Sequence, residues 1–166
     1  FSLPGGTEPG DQSAATEDFL QRFGVGADIA VRTRDLDIGT DVFIEGEGPG
    51  LTIIDGTSAD RVFHIVSSLR NNQGFFNLTI RRGFVEGRRG GCILREGTDG
   101  LFTLGNVVLE HCLAVGNEGG AVYNAGAVIF AGSIVRNATA SLGGGLHNIG
   151  VAQINDSTFM HNGGQS

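Results

Sequence analysis

Apolar residues alternate with polar or small residues in several segments of the C-terminal half of the chain. Phe102-Thr103-Leu104 and Ala152-Gln153-Ile154 show the alternation clearly, and Val128-Ile129-Phe130 occupies the corresponding position between them. A period of two residues is typical of a β-strand with one buried face, whereas the apolar residues of a helix recur every three to four positions. The pattern therefore predicts strands at these positions.

Two short marks recur on either side of these strands. The first is a glycine cluster, seen at Gly90-Gly91-Cys92-Ile93, Gly119-Gly120-Ala121-Val122 and Gly143-Gly144-Gly145-Leu146. The second is an apolar segment that ends near a turn, seen at Leu109-Glu110-His111-Cys112, Ile134-Val135-Arg136-Asn137 and Phe159-Met160-His161-Asn162. The second mark starts at positions 109, 134 and 159, which are evenly spaced. Self-similarity of this kind indicates stacked units that bury their apolar faces against one another.

The repeats contain strands and turns but no segment of helical length, so we expect each turn of chain to pair in parallel with the next. Parallel crossovers are almost always right-handed. The sequence thus predicts an all-β protein, a right-handed parallel β-helix of roughly five to six coils. The predicted inward columns are Ile93/Val122/Leu146, Phe102/Val128/Ala152, Leu104/Phe130/Ile154 and Leu109/Ile134/Phe159.

The repeat pattern divides the chain into two parts. Residues 1–27 lack it, and we predict that they form an N-terminal cap or extension, with a short amphipathic helix over 16–23 that covers the first coil. The alternative is a surface segment that belongs to an upstream domain. Residues 28–166 are predicted to form the parallel β-helix, and Asn162-Gly163-Gly164 resembles the start of a further coil, so we expect the β-helix to continue beyond the C-terminus.

Composition excludes several other classes of protein. Hydrophobic residues make up 40% of the chain and alternate in register, which argues against disorder. The formal net charge of −7 argues against a nucleic-acid partner, which would need clustered positive charge. The sequence also has no apolar run approaching the roughly 20 residues of a transmembrane helix.

One outward column carries titratable or basic side chains. It consists of Arg82, His111, Arg136 and His161, which recur about once per predicted coil. Such side chains, stacked about one strand spacing apart, could bind an anion or another ligand. Solvated side chains at the edge of a soluble solenoid would produce the same pattern, and both interpretations stay open.

Two other sets of residues suggest structural roles. Asn124 and Asn148 are predicted to form an asparagine ladder, and Asn137 and Asn162 a second one. Cys92 and Cys112 form a poor metal site, since they lack nearby ligand motifs. They would form a disulfide in an exported protein and stay buried free thiols otherwise. We predict no metal ion and no other cofactor.

The segment from Val42 to Asn162 resembles the pectate-lyase-like β-helix superfamily. Within that superfamily it is most similar to polymorphic outer-membrane protein repeats, which combine Gly-Gly-Ala plus an aliphatic residue with Phe-x-x-Asn. Gly119-Gly120-Ala121-Val122 and Phe159-Met160-His161-Asn162 match these motifs in full. The resemblance implies an exported protein, secreted or at the cell surface, that adheres to other surfaces.

Enzymes of this superfamily bring acidic side chains together on neighbouring coils. From Gly90 onward the acids of this chain are Glu96, Asp99, Glu110, Glu118 and Asp156, and the repeat spacing does not cluster them. An active site would have to use Asp55, Asp60 or Glu86 in the irregular coils, or a part of the protein outside this sequence. We therefore expect a non-catalytic structural or adhesive module that contacts proteins or glycans, with a polysaccharide-binding or lyase-like domain as the alternative.

The chain's partners follow from the predicted fold. A solenoid without a cap at its C-terminal end exposes unpaired backbone groups and apolar core there. We expect a protein partner or self-association through this edge, and a glycan is a further candidate ligand.

Overall fold

The computed structural model describes residues 28–30, 35–66 and 71–164. The predicted N-terminal extension, with its capping helix over 16–23, lies outside these residues. The described residues form strands and turns, and none is helical. The strands are β1 (Asp28–Ala30), β2 (Leu36–Ile38), β3 (Val42–Glu45), β4 (Ile53–Asp55), β5 (Phe63–Ile65), β6 (Gln73–Arg81), β7 (Phe84–Glu86), β8 (Ile93–Arg95), β9 (Leu101–Glu110), β10 (Leu113–Glu118), β11 (Val122–Asn124), β12 (Ala127–Ala131), β13 (Ile134–Arg136), β14 (Thr139–Leu142), β15 (Leu146–Asn148), β16 (Val151–Asn155), β17 (Thr158–Met160) and β18 (Gly163–Gly164).

Within the described ranges these strands form three parallel sheets. The large sheet has nine strands, with the main order β1-β4-β6-β9-β12-β16, and β3, β13 and β17 pair alongside it. The second sheet has the order β18-β14-β10-β7, and the third has the order β15-β11-β8-β5-β2. Each strand pairs with strands about one turn of chain away. The fold is a parallel β-solenoid of about five turns, as the sequence predicted.

Three of the four predicted inward columns are confirmed in register. Ile93 pairs with Val122 and Val122 with Leu146. The other two confirmed columns are Phe102/Val128/Ala152 and Leu104/Phe130/Ile154. The first two members of each column are fully buried in one continuous apolar core. Stacking along the solenoid thus buries apolar side chains that a single coil could not bury alone.

The fourth predicted column is wrong by one residue in its middle coil. Val135, not Ile134, lies between Leu109 and Phe159, and Val135 is fully buried. The paired positions are 109, 135 and 159, so the first step along the chain is longer than the second. The sequence prediction assumed equal steps. The first of these two coils is one residue longer than the prediction assumed, and the second is one residue shorter. Ile134 therefore does not lie on the inward face.

The last described coil is more open than predicted. Ile154 was expected to be buried, but 49% of it is exposed, and Leu146 and Phe159 are only partly buried. Among the described residues, β16 has a neighbouring strand on one side only. The core side chains of this coil are therefore covered from the N-terminal side alone within the described part of the chain.

Left-handed backbone conformations mark the corners of the coils. Arg82, His111, Asn137 and His161 follow β6, β9, β13 and β17, and all four have φ of 53° or 54°. Residues other than Gly, Asn and Asp adopt this conformation at a cost in energy. Its recurrence at one corner shows that the four residues occupy the same structural position on successive coils.

Aromatic side chains fill the widest part of the core. The Phe75 ring lies between Phe63, with centroids 4.5 Å apart, and Phe102, with centroids 5.1 Å apart in an edge-to-face arrangement. Further along the solenoid Phe130 packs edge-to-face on Phe159 at 5.3 Å. The contacts of Phe75 with Phe102 and of Phe130 with Phe159 join neighbouring coils, so the core is continuous along the solenoid axis.

We predict that Phe130→Ala destabilises the protein by about 3–5 kcal/mol, since it removes a fully buried ring. Ile129→Ala, one residue away on the partly exposed outer face, should cost much less, about 1 kcal/mol. Urea unfolding followed by circular dichroism measures both. A larger loss for Ile129→Ala than for Phe130→Ala would show that the register is shifted.

Candidate functional site

The structure does not assemble the predicted basic column. Arg136 lies in β13 opposite Glu110 of β9 and Met160 of β17. The corner position beside Arg82, His111 and His161 is instead held by Asn137. The assumption of equal spacing placed Arg136 in the wrong column, just as it misplaced Ile134.

Arg136 forms an ion pair across coils. Its Nε and Nη2 donate to Glu110 Oε2 at 2.9 and 2.6 Å. The even spacing of the recurring marks would place Val135 beside Glu110, but Arg136 occupies that position. The arginine is thus neutralised by a partner on the preceding coil.

Arg82 also forms an ion pair, with the buried carboxylate of Asp55. Asp55 accepts hydrogen bonds from Arg82 Nε and Nη2 at 2.8 and 2.6 Å, from Arg81 Nε at 2.7 Å and from the Thr57 amide at 2.8 Å. Burial by itself raises the pKa of Asp55, but the hydrogen bonds from Arg82, Thr57 and Arg81 outweigh it and lower the pKa to about 2. The cluster therefore ties neighbouring coils together and holds Asp55 ionised.

The two histidines of the predicted column, His111 and His161, are exposed at their corners. Both residues adopt the positive φ of the turn. This shared place in the turn is enough to explain why they recur at regular spacing. Arg82, His111 and His161 thus share one corner position on their coils, whereas Arg136 does not join them, and ligand binding by these residues stays a prediction.

One of the two proposed asparagine ladders has the expected contacts. Asn124 Nδ2 donates to Asn148 Oδ1 at 2.6 Å, and the two residues are paired in register. Asn137 and Asn162 do not share a column. Asn162 instead accepts from the Ala138 amide at 3.0 Å and donates to the Val135 carbonyl at 2.9 Å, so it closes a turn.

A buried arginine extends the asparagine column, and sequence analysis missed it. Arg95 lies opposite Asn124 and is 1% exposed. Its guanidinium donates to the carbonyls of Gly97, Asp99 and Gly100 at 2.9 to 3.1 Å. Burial lowers the pKa of Arg95. The side chain fixes the turn over 97–100 from inside.

Cys92 and Cys112 form a disulfide in the structure, with Cα atoms 5.3 Å apart. The bond closes a loop between residues 20 positions apart. By the chain-entropy model such a crosslink stabilises the fold by about 3 kcal/mol. The bridge also lies beside the core, since both residues are buried in it.

A cluster of carboxylate and imidazole groups lies at the β2 end of the third sheet. Asp37 of β2 is paired in register with His64 of β5. The His64 Nδ1 lies 3.1 Å from Asp37 Oδ1, and its Nε2 lies 3.1 Å from Glu96 Oε2. Asp35 joins the group, and burial raises its pKa while Arg61 opposes that shift.

Sequence analysis did not assign a partner to His64, although a signal was present. Leu36-Asp37-Ile38 shows the same apolar-polar-apolar pattern as Phe63-His64-Ile65, one coil earlier in the chain. Both segments are strands of the same sheet. Recognising β2 would have placed Asp37 beside His64.

One part of the outer face of the large sheet, formed by β12, β16 and residues 101–105 of β9, carries no charge. Its outward residues are Leu101, Thr103, Gly105, Ala127, Ile129, Ala131, Val151, Gln153 and Asn155. We call these nine residues the uncharged face. The chain as a whole is 17% charged, and none of that charge lies at these nine positions. Leu101 and Val151 are exposed to 36% and 68%.

Two phenylalanines extend this surface toward the N-terminal coils. Phe43 is exposed, and Phe76 lies over Gly74 and Gly105. A Cβ on Gly74 would lie 2.5 Å from the Phe76 ring, and one on Gly105 would lie 2.6 Å from it. The two glycines therefore let the Phe76 ring lie flat on the sheet.

Comparisons with protein-family models, with curated proteins and with solved structures each find no significant match to this chain. The fold and the contacts above therefore define the class, a parallel β-solenoid, and no family is shown for it. None of the described residues belongs to a helix long and apolar enough to cross a membrane.

We predict that Asp55 makes stability depend on pH in acid. Its folded pKa of about 2 lies below its ordinary value of 3.8, so its contribution is complete above about pH 4 and is lost as the pH falls toward 2. The shift corresponds to at most about 2 kcal/mol. Urea unfolding at pH 5 and pH 2.5 should show a smaller difference for Asp55→Asn than for the unchanged chain.

Asp156→Asn, which alters an exposed carboxylate at another corner, is the matched control. It should keep the pH dependence of the unchanged chain. If Asp55→Asn also kept that dependence in full, the arginine cluster around Asp55 would not be a source of stability.

Proposed function

We propose that the chain is a non-catalytic adhesive module of an exported, surface-associated protein, and that it contacts another protein through the uncharged face. The observation that carries this proposal is the face itself, nine outward residues without a charge on a chain of net charge −7. The interior of protein interfaces is depleted of charged side chains in the same way. Exposed apolar patches on soluble proteins commonly mark such contacts.

The shape of the solenoid supports this role. The three coils present their outward residues in register along straight columns, such as Thr103, Ile129 and Gln153. Parallel strands lie about 4.8 Å apart, so the columns form a regularly spaced surface. A partner would meet this surface without having to order it first, which favours binding.

Two of the three acids that a catalytic alternative would use are held in ion pairs. Asp55 lies between Arg81 and Arg82, and Asp60 pairs with Arg88 at 2.9 Å. A carboxylate that acts as general base or calcium ligand must be available to its substrate or ion. These pairings favour a structural role for both acids.

Export is supported by two features of the chain. The Cys92–Cys112 disulfide is typical of proteins that fold in an oxidising compartment. The match of Gly119-Gly120-Ala121-Val122 and Phe159-Met160-His161-Asn162 to the repeats of polymorphic outer-membrane proteins suggests the same location. We propose on this basis that the protein is secreted or displayed at the cell surface.

Glycan binding is the second candidate, and the phenylalanines favour it. Phe43 and the flat Phe76 ring form an aromatic surface next to the uncharged face. The apolar side of a sugar ring stacks on such surfaces, and polar side chains such as Gln153 and Asn155 could bind its hydroxyl groups.

Adhesion of coated beads tests the proposal. Beads that carry the chain should adhere to protein-coated surfaces, and Ile129→Lys should reduce the adhering fraction at least tenfold because it places a charge in the centre of the uncharged face. Ser141→Lys, a similar change on the partly exposed β14, is the control and should have no effect.

The same assay separates the alternatives. Adhesion to polysaccharide-coated surfaces that depends on Phe43 and Phe76 would favour glycan binding over protein binding. Unsaturated-product absorbance on incubation with polygalacturonate and calcium would overturn the non-catalytic proposal altogether. Adhesion that Ile129→Lys leaves unchanged would show that the contact lies elsewhere.

We also propose that the edge of the last described coil mediates association. Within the described part, β16 is paired on one side only, and Val151 and Ile154 are exposed at that edge. Unpaired parallel edges are templates for pairing with another chain. Sedimentation velocity of the 166-residue chain should therefore show larger species as concentration rises.

Ile154→Lys should shift that equilibrium toward the monomer, because it places a charge at the edge. Phe43→Lys changes a similarly exposed apolar residue at the other end of the sheet and should leave association unchanged. A monomer at every concentration of the unchanged chain would refute this proposal.

A further inference from the structure

The cluster around His64 has a donor set of the kind that binds metal ions. Asp35, Asp37 and His64 each offer one ligand atom, and these atoms all lie within 4.8 Å of one another. The residues come from two adjacent coils, since Asp37 is opposite His64 in register. Asp35 lies just before β2 and is partly buried beside them.

Two carboxylates flank the imidazole ring of His64. Each ring nitrogen faces a carboxylate, with Asp37 on the Nδ1 side and Glu96 on the Nε2 side, both at 3.1 Å. A neutral imidazole carries one N–H group and one lone pair, so it can donate to only one of these carboxylates. If Nε2–H donates to Glu96, the Nδ1 lone pair and the Asp37 oxygen face each other as two acceptors.

A metal ion between Nδ1 and Asp37 removes this repulsion. Glu96 then acts as the carboxylate that fixes the ring and its tautomer, an arrangement common around metal-binding histidines. A tetrahedral site with bonds of about 2.0 Å separates its ligand atoms by about 3.3 Å. The 3.1 Å between His64 Nδ1 and Asp37 Oδ1 is close to that separation.

Arg61 provides a second, independent observation. Its side chain is 4% exposed, and its Nε lies 3.2 Å from Asp35 Oδ2. Yet neither Nε nor Nη1 of Arg61 has a well-aligned hydrogen-bond acceptor among the described residues, although both are buried. Buried donors of this kind nearly always have a partner. A water or anion that completes the coordination of a metal would supply the missing acceptor, and the second oxygen of Asp35 would face the metal.

We propose that Asp35, Asp37 and His64 bind one divalent transition metal ion of the Zn²⁺ type, with Glu96 orienting the imidazole. One imidazole and two carboxylates suit Zn²⁺ better than Ca²⁺ or Mg²⁺, which prefer sites built from oxygen ligands alone. The ion links the coil that contains β2 to the coil that contains β5. It would thereby brace the N-terminal coils of the described solenoid.

Isothermal titration calorimetry of the metal-free chain with Zn²⁺ tests the proposal. We expect one ion per chain, and we expect His64→Gln and Asp37→Asn each to weaken binding at least tenfold. Glu96→Gln should weaken it by about 10- to 100-fold without changing the stoichiometry, as outer partners of metal-bound histidines do. Circular dichroism of each metal-free variant verifies that it is folded.

His161→Gln is the matched control, because it removes another exposed histidine far along the chain, and it should leave Zn²⁺ binding unchanged. Co²⁺ provides a second readout, since visible absorption bands of a low-coordinate Co²⁺ site should appear in the unchanged chain and disappear in His64→Gln. Absence of Zn²⁺ binding, binding that survives His64→Gln, or equal binding of Ca²⁺ by the same residues would each overturn the proposal.

Discussion

Backbone pairing between successive coils is the constraint on which the rest of this structure depends. A strand such as β9 pairs with β6 on one side and with β12 on the other, always in parallel. These neighbours supply the hydrogen bonds of its backbone N–H and C=O groups, which would be costly to bury unpaired. Residues one coil apart are therefore held side by side, and a column must be apolar wherever it faces the core. Phe102 and Val128 are one example, since they are paired in register and both are apolar.

The same constraint explains how much of the fold could be predicted from the sequence. Strand alternation and recurring glycines were enough for the parallel solenoid and for three inward columns. The fourth failed because coil length varies, and the step from Leu109 to Val135 is longer than the step from Val135 to Phe159. The visible marks hid this variation, since Asn137 and Asn162 follow the even spacing but occupy different columns. The left-handed corner residues His111, Asn137 and His161 show which positions of successive coils are aligned.

Sites are harder to predict than columns for a related physical reason. A shift of one residue turns a side chain to the other face, so the error that misplaced Ile134 also placed Arg136 in a basic column that does not form. Conversely, the contact between Asp37 and His64 depends on β2, a strand of three residues in a region of irregular coils. Short strands carry little sequence signal, and their side chains are found only once the pairing is known.

Charge is distributed unevenly over the surface of the solenoid. Arginine–carboxylate pairs join neighbouring coils in the large sheet, as Arg136 does with Glu110, and at a turn, as Arg89 does with Glu118. All 11 basic residues of the chain are arginines, whose planar guanidinium suits such pairs. The uncharged face of the large sheet lacks them. Ion pairs thus link neighbouring coils outside that face.

Nuclear Overhauser contacts between backbone protons would test parallel, in-register stacking most directly. We expect Val128 to show contacts with both Phe102 and Ala152 in the uniformly labelled protein, since these residues are paired across three coils. Contacts of Val128 with Thr103 and Gln153 in their place, or an antiparallel pattern of contacts, would contradict the stacking on which the structure and the proposed functions depend.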